Sequence, residues 1–205
     1  MNIETSKCRS VIKNVLICTT LASLSCVTLA SNDLGVGDFL YGMEGKGIEN
    51  ELQELSYMGG DLDNYSEVNI TNATLSRATI VQNSRGVEAG NKAKVTQQGY
   101  RNGAKVTQQG RANIAIVRQS GVGNRAEIAS YGVGNEAVIV QEGHLNRAAI
   151  GQVSLGGSSI SVNQEGVGNV ALVGRVGAAD IGINQTGGDS IFISPASNIN
   201  IQVNQ

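Results

Sequence analysis

Primary amide side chains recur in this sequence at a fixed spacing, and their chemistry is hydrogen bonding. From residue 91 onward asparagine returns every eleven residues, in a unit that reads N-x-A-x-[VI]-x-Q-x-G-x-x. An amide both donates and accepts hydrogen bonds. Identical amides stacked in register can therefore each donate to one neighbour and accept from the other, as in cross-β assemblies.

The predicted ladder residues are seven asparagines and eight glutamines. They are Asn91, Asn102, Asn113, Asn124, Asn135, Asn146 and Asn169, with Gln82, Gln97, Gln108, Gln119, Gln141, Gln152, Gln164 and Gln185. One ladder is predicted to start at Asn91, a second at Asn102 and a third at Gln97. An unpaired buried amide costs about 1–3 kcal/mol, so the interior of a stack would satisfy these groups and its ends would not.

No other set of residues favours catalysis, a cofactor or a metal. His144 is a single residue in a predicted turn, where we expect it to be solvated. The Gly-Val-Gly-Asn turns, such as Gly121 to Asn124, lack the Gly-Lys-Ser/Thr of a phosphate loop. Asp61 and Asp63 could contact calcium, but this indication is weak because the sequence has no repeated Gly-Gly-x-Gly-x-Asp array. We therefore predict a protein that is not an enzyme, with no cofactor and no metal.

Short strands joined by turns explain the repeat. The four recurring side chains are two residues apart, which is the period of a strand and not of a helix. A glycine follows two residues after the glutamine position, where a tight turn needs it. The predicted turn glycines are Gly99, Gly110, Gly121, Gly132, Gly143, Gly166, Gly177 and Gly187. About thirteen such units, with looser spacing near both ends, are predicted over residues 66–205.

Two units together make one coil, of about 22 residues, and this predicts an all-β fold. Stacking coils about 4.8 Å apart gives a parallel β-solenoid of strand-turn-strand rungs with two facing parallel sheets. Alanines then stack inside, Ala93 over Ala115 over Ala137, and the outward positions vary in sequence. Aromatic residues make up only 3% of the chain, which suits a narrow core of small residues.

Residues 1–30 have the pattern of a secretory signal peptide. Basic residues open the segment, Val11 to Leu29 is mostly apolar, and Ala30 ends a small-residue cleavage site. A membrane anchor is the alternative, because the apolar run approaches spanning length; a lipoprotein modification at Cys26 is another. All three cysteines lie in this segment, so cleavage would leave a mature chain without a thiol.

Residues 31–65 differ in charge from the repeats. They carry nine acidic residues, counting Glu67 at the margin, against Lys46 alone. From Val68 onward there are eleven basic and seven acidic residues, which predicts electrostatic attraction between the two segments or between subunits. This charge is too small to indicate nucleic-acid binding. Ile48, Leu52 and Leu55 have helical spacing, which predicts a short amphipathic helix within Gly47 to Met58. A flexible leader, a docking segment and an end cap are the three interpretations of this segment.

The repeats resemble those of the curlin family, the subunits of bacterial curli fibres. The family pattern S-x5-Q-x-G-x-x-N-x-A-x3-Q is matched in its second part by Gln97 to Gln108, Gln108 to Gln119 and Gln141 to Gln152. The resemblance implies a secreted subunit of extracellular amyloid fibres. It also implies, as partners, other curlin subunits, an outer-membrane secretion channel and accessory factors. Scattered basic residues such as Lys94, Arg125 and Arg147 look more like the minor, nucleating subunit than the major one.

Two other functions remain compatible with a repeated strand. One is a monomeric β-solenoid that acts as an adhesin or an ice-binding protein, although only Thr96 and Thr107 could begin an outward threonine array and they fall on opposite sheets. The other is a polysaccharide-cleaving solenoid, which would need clustered outward acids. The fibre subunit is the preferred hypothesis.

Overall fold

The computed structural model describes residues 43, 46–57, 64–84, 89–178, 180–194 and 201–204. In these ranges it contains one helix, α1 (Ile48–Tyr57), and thirteen strands. The strands are β1 (Tyr65–Thr74), β2 (Arg77–Asn83), β3 (Lys92–Tyr100), β4 (Gly103–Arg111), β5 (Ile114–Val122), β6 (Arg125–Val133), β7 (Asn135–His144), β8 (Arg147–Ser154), β9 (Ser158–Val167), β10 (Val170–Val176), β11 (Asp180–Gln185), β12 (Ser190–Ile193) and β13 (Ile201–Asn204).

The strands alternate between two parallel sheets. The first sheet has the order β1-β3-β5-β7-β9-β11-β13 and the second the order β12-β10-β8-β6-β4-β2. In the central coils Ala93 pairs with Ala115 and Ala115 with Ala137, so each coil contains two of the repeated units. The predicted all-β solenoid, with two facing parallel sheets and two units per coil, is confirmed.

The coil length changes only where turns differ. Ala137 pairs with Ile160, one position beyond the regular period, because the turn between β8 and β9 is longer. Ala78 pairs with Ala104, four positions beyond that period, because the connection between β2 and β3 is longer. Residues 85–88 of that connection lie outside the described part. The strands keep their inward residues in register because an odd slip would turn every one of them outward.

The core between the sheets consists of alanine columns beside columns of valine and isoleucine. Ala93, Ala115 and Ala137 are fully buried, as are Val95 and Val117 above one another in the same sheet. Small alanines let the two sheets approach, and β-branched residues fill the remaining space while favouring the extended backbone. This narrow core explains why the repeats need few aromatic residues.

Helix α1 lies on the outer face of the first sheet. Its acidic first turn, with Glu49 and Glu51, suits the positive end of the helix dipole. Its buried side packs on an apolar patch of β5 and β7. The contact cluster contains Met43, Ile48, Leu52 and Leu55 on one side and Ile114, Ile116, Val138 and Val140 on the other. The acidic segment thus contains a helix, which covers a sheet face and not an end of the stack.

Several predicted features lie outside the described residues. They include the signal peptide of residues 1–30 and the aspartates at positions 61 and 63. Within the described part, no helix is long and apolar enough to cross a bilayer.

Candidate assembly site: the amide columns and the ends of the stack

The glutamines of the first sheet form one continuous column. Gln97 Nε2 donates to Gln119 Oε1 at 2.8 Å, and the same bond recurs at 2.8 Å from Gln119 to Gln141, from there to Gln164 and on to Gln185. All five side chains are buried. The inward position two residues after the core valine brings each amide directly over the next, because parallel strands in register repeat their side chains every rung.

Each of these glutamines also ties the first sheet to the second. The second hydrogen of Gln119 Nε2 reaches the carbonyl oxygen of Gly103 at 3.1 Å, and Gln141 and Gln164 reach those of Arg125 and Arg147 at the same distance. The amides therefore bond along the stack and across it. A change in one of them disturbs two sheets and two neighbouring rungs.

The glutamine column ends at β1, where the chain departs from the pattern. Ile70 pairs with Gln97 and occupies the glutamine position of the first rung. Gln97 Oε1 is buried there without a hydrogen-bond donor. A buried acceptor without a partner is costly, so the column is incomplete at this end. The strand pattern at residues 66–72 contained the signal, since it places isoleucine where later units have glutamine.

The equivalent column of the second sheet is interrupted. Gln82 Nε2 donates to Gln108 Oε1 at 2.9 Å, but Ser130 follows Gln108 in register. Gln152 bonds the carbonyl oxygen of Glu136 at 2.8 Å and its own Oε1 has no donor. Serine is too short to bridge the gap, and Arg175 takes the next position. The second sheet therefore has glutamines at the predicted sites without a continuous ladder.

The asparagines bond the backbone more than they bond each other. Asn113 Nδ2 does donate to Asn91 Oδ1 at 2.8 Å. In the Asn102 column, however, Asn102 Oδ1 accepts the backbone N–H of Asn124 at 3.0 Å, and Nδ2 donates to the carbonyl oxygen of Gly121 at 3.0 Å. Asparagine is one methylene shorter than glutamine and stands at the start of a strand. Its amide therefore reaches the neighbouring corner backbone.

The corners depend on glycine at the predicted positions. Positive φ angles occur at Gly99, Gly110, Gly121, Gly132, Gly143, Gly166 and Gly177, whereas the φ of Gly187 lies outside that region. At Gly121 the backbone of the next rung is so close that an added Cβ would lie 2.0 Å from the carbonyl oxygen of Gly143. Glycine here is needed for conformation and for stacking distance together.

Ion pairs join α1 and the residues before it to β5, β7 and β9. Lys46 Nζ lies 3.1 Å from Glu142 on β7 and 2.6 Å from Glu165 on β9. Arg118 on β5 contacts Glu51 at 2.6 Å, and its other nitrogen donates to the carbonyl oxygen of Lys46. The sequence showed the charge asymmetry but not these pairs, because the outward residues involved are far apart along the chain.

Disrupting the buried side of α1 should release it from the sheet. Leu52 is 4% exposed against the apolar patch, and a carboxylate there would be buried without a partner. For Leu52→Asp we expect amide hydrogens of residues 48–57 to exchange at least about tenfold faster, because a local loss of about 1.4 kcal/mol already corresponds to that factor.

Asn50→Asp is the matched control, since Asn50 is exposed on the same helix. It adds the same charge away from the contact and should leave exchange within about twofold of the wild type. Equal exchange in both variants would show that the apolar contact does not hold α1.

Among the residues that the structure describes, four titratable groups have pKa values shifted by their surroundings. Burial raises the pKa of Tyr65 to about 12, and its bond to Glu67 acts in the same direction. Burial also raises the pKa of Glu136 and of Asp180, although Ser159 opposes both shifts. The hydrogen bond from Lys46 lowers the pKa of Glu165. Each shift follows from packing or from docking of the acidic segment.

The structure also shows where the other residues considered in the sequence analysis lie. His144 is exposed at the end of β7. Among the described residues, no three histidine, cysteine, aspartate or glutamate side chains cluster as a metal site. The Gly-Val-Gly-Asn segments form corners between strands and open no helix.

Comparison with known proteins agrees with this geometry. The family model described as the curlin associated repeat matches residues 89–121 and again residues 99–132. These overlapping matches span β3, β4, β5 and nearly all of β6, where the asparagine, glutamine and glycine positions repeat without a gap. No curated protein and no solved structure matches the chain. Residues 89–132, which lie in register on a parallel β-solenoid, are therefore similar to the curlin associated repeat.

Proposed function

We propose that this chain is a secreted structural subunit of extracellular curli-type amyloid fibres. The observation that carries the proposal is the open edge at β1. Strand β1 is an edge strand of the first sheet, and its inward residues Val68 and Ile70 remain 49% and 43% exposed. An edge strand with unpaired backbone groups and exposed apolar side chains is a template for another strand.

Stacking of a second copy would continue the same geometry. The two ends of a parallel solenoid differ, so the β1 end of one chain would meet the β12 and β13 end of the next. Such head-to-tail contacts do not close and instead generate filaments. An arriving chain would form parallel strands in register and continue the two sheets.

Within the fibre we favour the role of the minor, nucleating subunit at the cell surface, serving adhesion and a biofilm matrix. The basic residues spread over the outer faces support this assignment, and four of the repeats' arginines are exposed. Export through the signal peptide and a dedicated outer-membrane channel belongs to the same proposal. A monomeric β-solenoid adhesin is the second candidate, favoured by the docked helix, which stabilises a single chain.

Blocking the β1 edge should stop polymerisation. In Val68→Lys an inward charge would have to be buried by the incoming strand, so we expect the lag of thioflavin fluorescence to lengthen at least about tenfold. Thr71→Lys carries the same charge on the outward side of β1 and should assemble like the wild type. Fibre diffraction should show the inter-strand reflection at about 4.8 Å for the wild type and the control.

Two results would contradict the proposal. A wild-type chain that stays soluble for days without that reflection would favour the monomeric adhesin. If fibres form but small amounts do not shorten the lag of another curlin, the chain is a fibre subunit without the nucleating role.

A further inference from the structure

Arginines form a column on the outer face of the second sheet. Arg77 on β2, Arg125 on β6 and Arg147 on β8 share one register position, with Gly103 on β4 between the first two. Arg101 stands in the turn before β4. At about 4.8 Å per rung, the column from Arg77 to Arg147 spans about 14 Å along the stacking axis.

This column lines an open groove of about 800 Å³. The missing side chain at Gly103 leaves its centre free, and an added Cβ there would meet nothing within 4 Å. Leu75 and Leu145, both exposed, form apolar rims at the corners. The groove is therefore lined by a row of cations beside apolar groups.

The arginines of the groove are not neutralised. In the described part of the chain, no carboxylate pairs with Arg77, Arg101, Arg125 or Arg147, and all four side chains are exposed. Only Lys105, beside them, is paired, with Glu127 at 2.9 Å.

The outer face of the first sheet differs in this respect. There Lys94 lies 3.7 Å from Glu54 and Arg118 lies 2.6 Å from Glu51, so both cations contact acids of the acidic segment. Among the described residues, no acid of this segment covers Arg77, Arg125 or Arg147 on the second sheet, so these three cations remain available to a ligand.

The backbone beneath the column is held in place. The carbonyl oxygens of Arg77, Gly103, Arg125 and Arg147 each accept a bond from a glutamine of the buried ladder. Like charges at such spacing repel each other, and the rigid sheet prevents them from moving apart at their Cα atoms. A row of guanidinium groups preorganised in this way matches a ligand with repeated anionic groups.

We propose that this groove binds a linear acidic polysaccharide. Guanidinium groups bind carboxylates in a bidentate manner, a linear chain of carboxylates matches arginines arranged in a row, and Leu75 and Leu145 can contact the apolar faces of sugar rings. No aromatic side chain lines the groove, whereas single-stranded nucleic acids are bound by stacking on aromatic residues. The site goes beyond fibre formation and is present in a single subunit.

The test uses fresh, monomeric full-length protein and a fluorescently labelled alginate oligosaccharide, with binding followed by anisotropy. Arg125→Gln should weaken binding about tenfold and Arg125→Gln with Arg147→Gln about 100-fold, because each charge-assisted contact is worth about one such factor. Lys94→Gln removes the same charge from the other sheet and should change binding by no more than about twofold.

Filling the gap provides a gain of function. Gly103→Arg would complete the column on a strand position with free space and should tighten alginate binding about tenfold. Neutral dextran of the same length should not bind. All variants change outward positions, and circular dichroism checks that they keep the β fold.

Several outcomes would overturn the proposal. They are unchanged binding in the double variant, equal weakening by Lys94→Gln, equal binding of dextran, or tighter binding of a single-stranded oligonucleotide of equal charge. None depends on fibre formation, so failure of this site and failure of the fibre function can be told apart.

Discussion

Gly121→Ala is expected to lower the free energy of unfolding by at least about 3 kcal/mol, because it combines backbone strain with a collision between rungs. Gly121 has a φ of 111°, which L side chains rarely adopt. An added Cβ would lie 2.0 Å from the carbonyl oxygen of Gly143, and this neighbour is backbone that cannot rotate away. The two rungs would have to separate, which would break the ladders on both sides.

Guanidinium unfolding of the freshly prepared chain, followed by circular dichroism, measures this effect. Gly103→Ala is the matched control, since Gly103 has no positive φ and open space at its Cβ position. The control should unfold within about 0.5 kcal/mol of the wild type. Similar losses in the two variants would mean that general strand flexibility, and not close stacking at the corners, explains the glycines.

Gln119→Ala is expected to lower the free energy of unfolding by about 3 kcal/mol, through three lost hydrogen bonds and the cavity that remains. Gln119 accepts from Gln97 and donates both to Gln141 and to the backbone of Gly103. Its removal leaves Gln141 Oε1 buried without a donor. The loss is larger than for an ordinary buried amide because the column is cut in its interior.

Substitutions at two other glutamines distinguish the contribution of the ladder from the contribution of burial alone. Gln98→Ala alters an exposed neighbour of the same type and should change stability by less than about 0.5 kcal/mol. Gln152→Ala removes a fully buried glutamine that donates one bond and lies next to Ser130, so we expect a loss of only about 1 kcal/mol. Equal losses at Gln119 and Gln152 would contradict a special role for the continuous column.

The acidic segment connects stability with assembly. It covers the apolar patch of β5 and β7, which would otherwise be an exposed hydrophobic surface that promotes nonspecific association. Its ion pairs with Lys94 and Arg118 use cations of the first sheet, while Arg77, Arg125 and Arg147 on the second sheet have no acidic partner among the described residues. The two outer faces therefore differ in charge although the two inner faces are nearly alike.

The sequence predicted the repeated part of the fold well. A period of eleven with alternating inward residues allows one arrangement of strands and corners, and the two-unit coil and both parallel sheets followed from it. The columns of Ala93 and Val95 lie where the period placed them. Prediction was weaker wherever units deviate, as at Ile70 and Ser130, because a ladder depends on the neighbouring rung and not on its own residue.

By itself, the sequence determined which residues face inward, where the corners lie and how far apart the rungs are along the chain. These properties are local and periodic, so neighbouring residues suffice to specify them. Only the tertiary structure decided which amides bond each other and which bond the backbone, since that depends on a difference of one methylene in reach. It also decided where the acidic helix docks and which arginines share a groove. Those contacts join residues tens of positions apart on outer faces, where no repeated pattern indicates them.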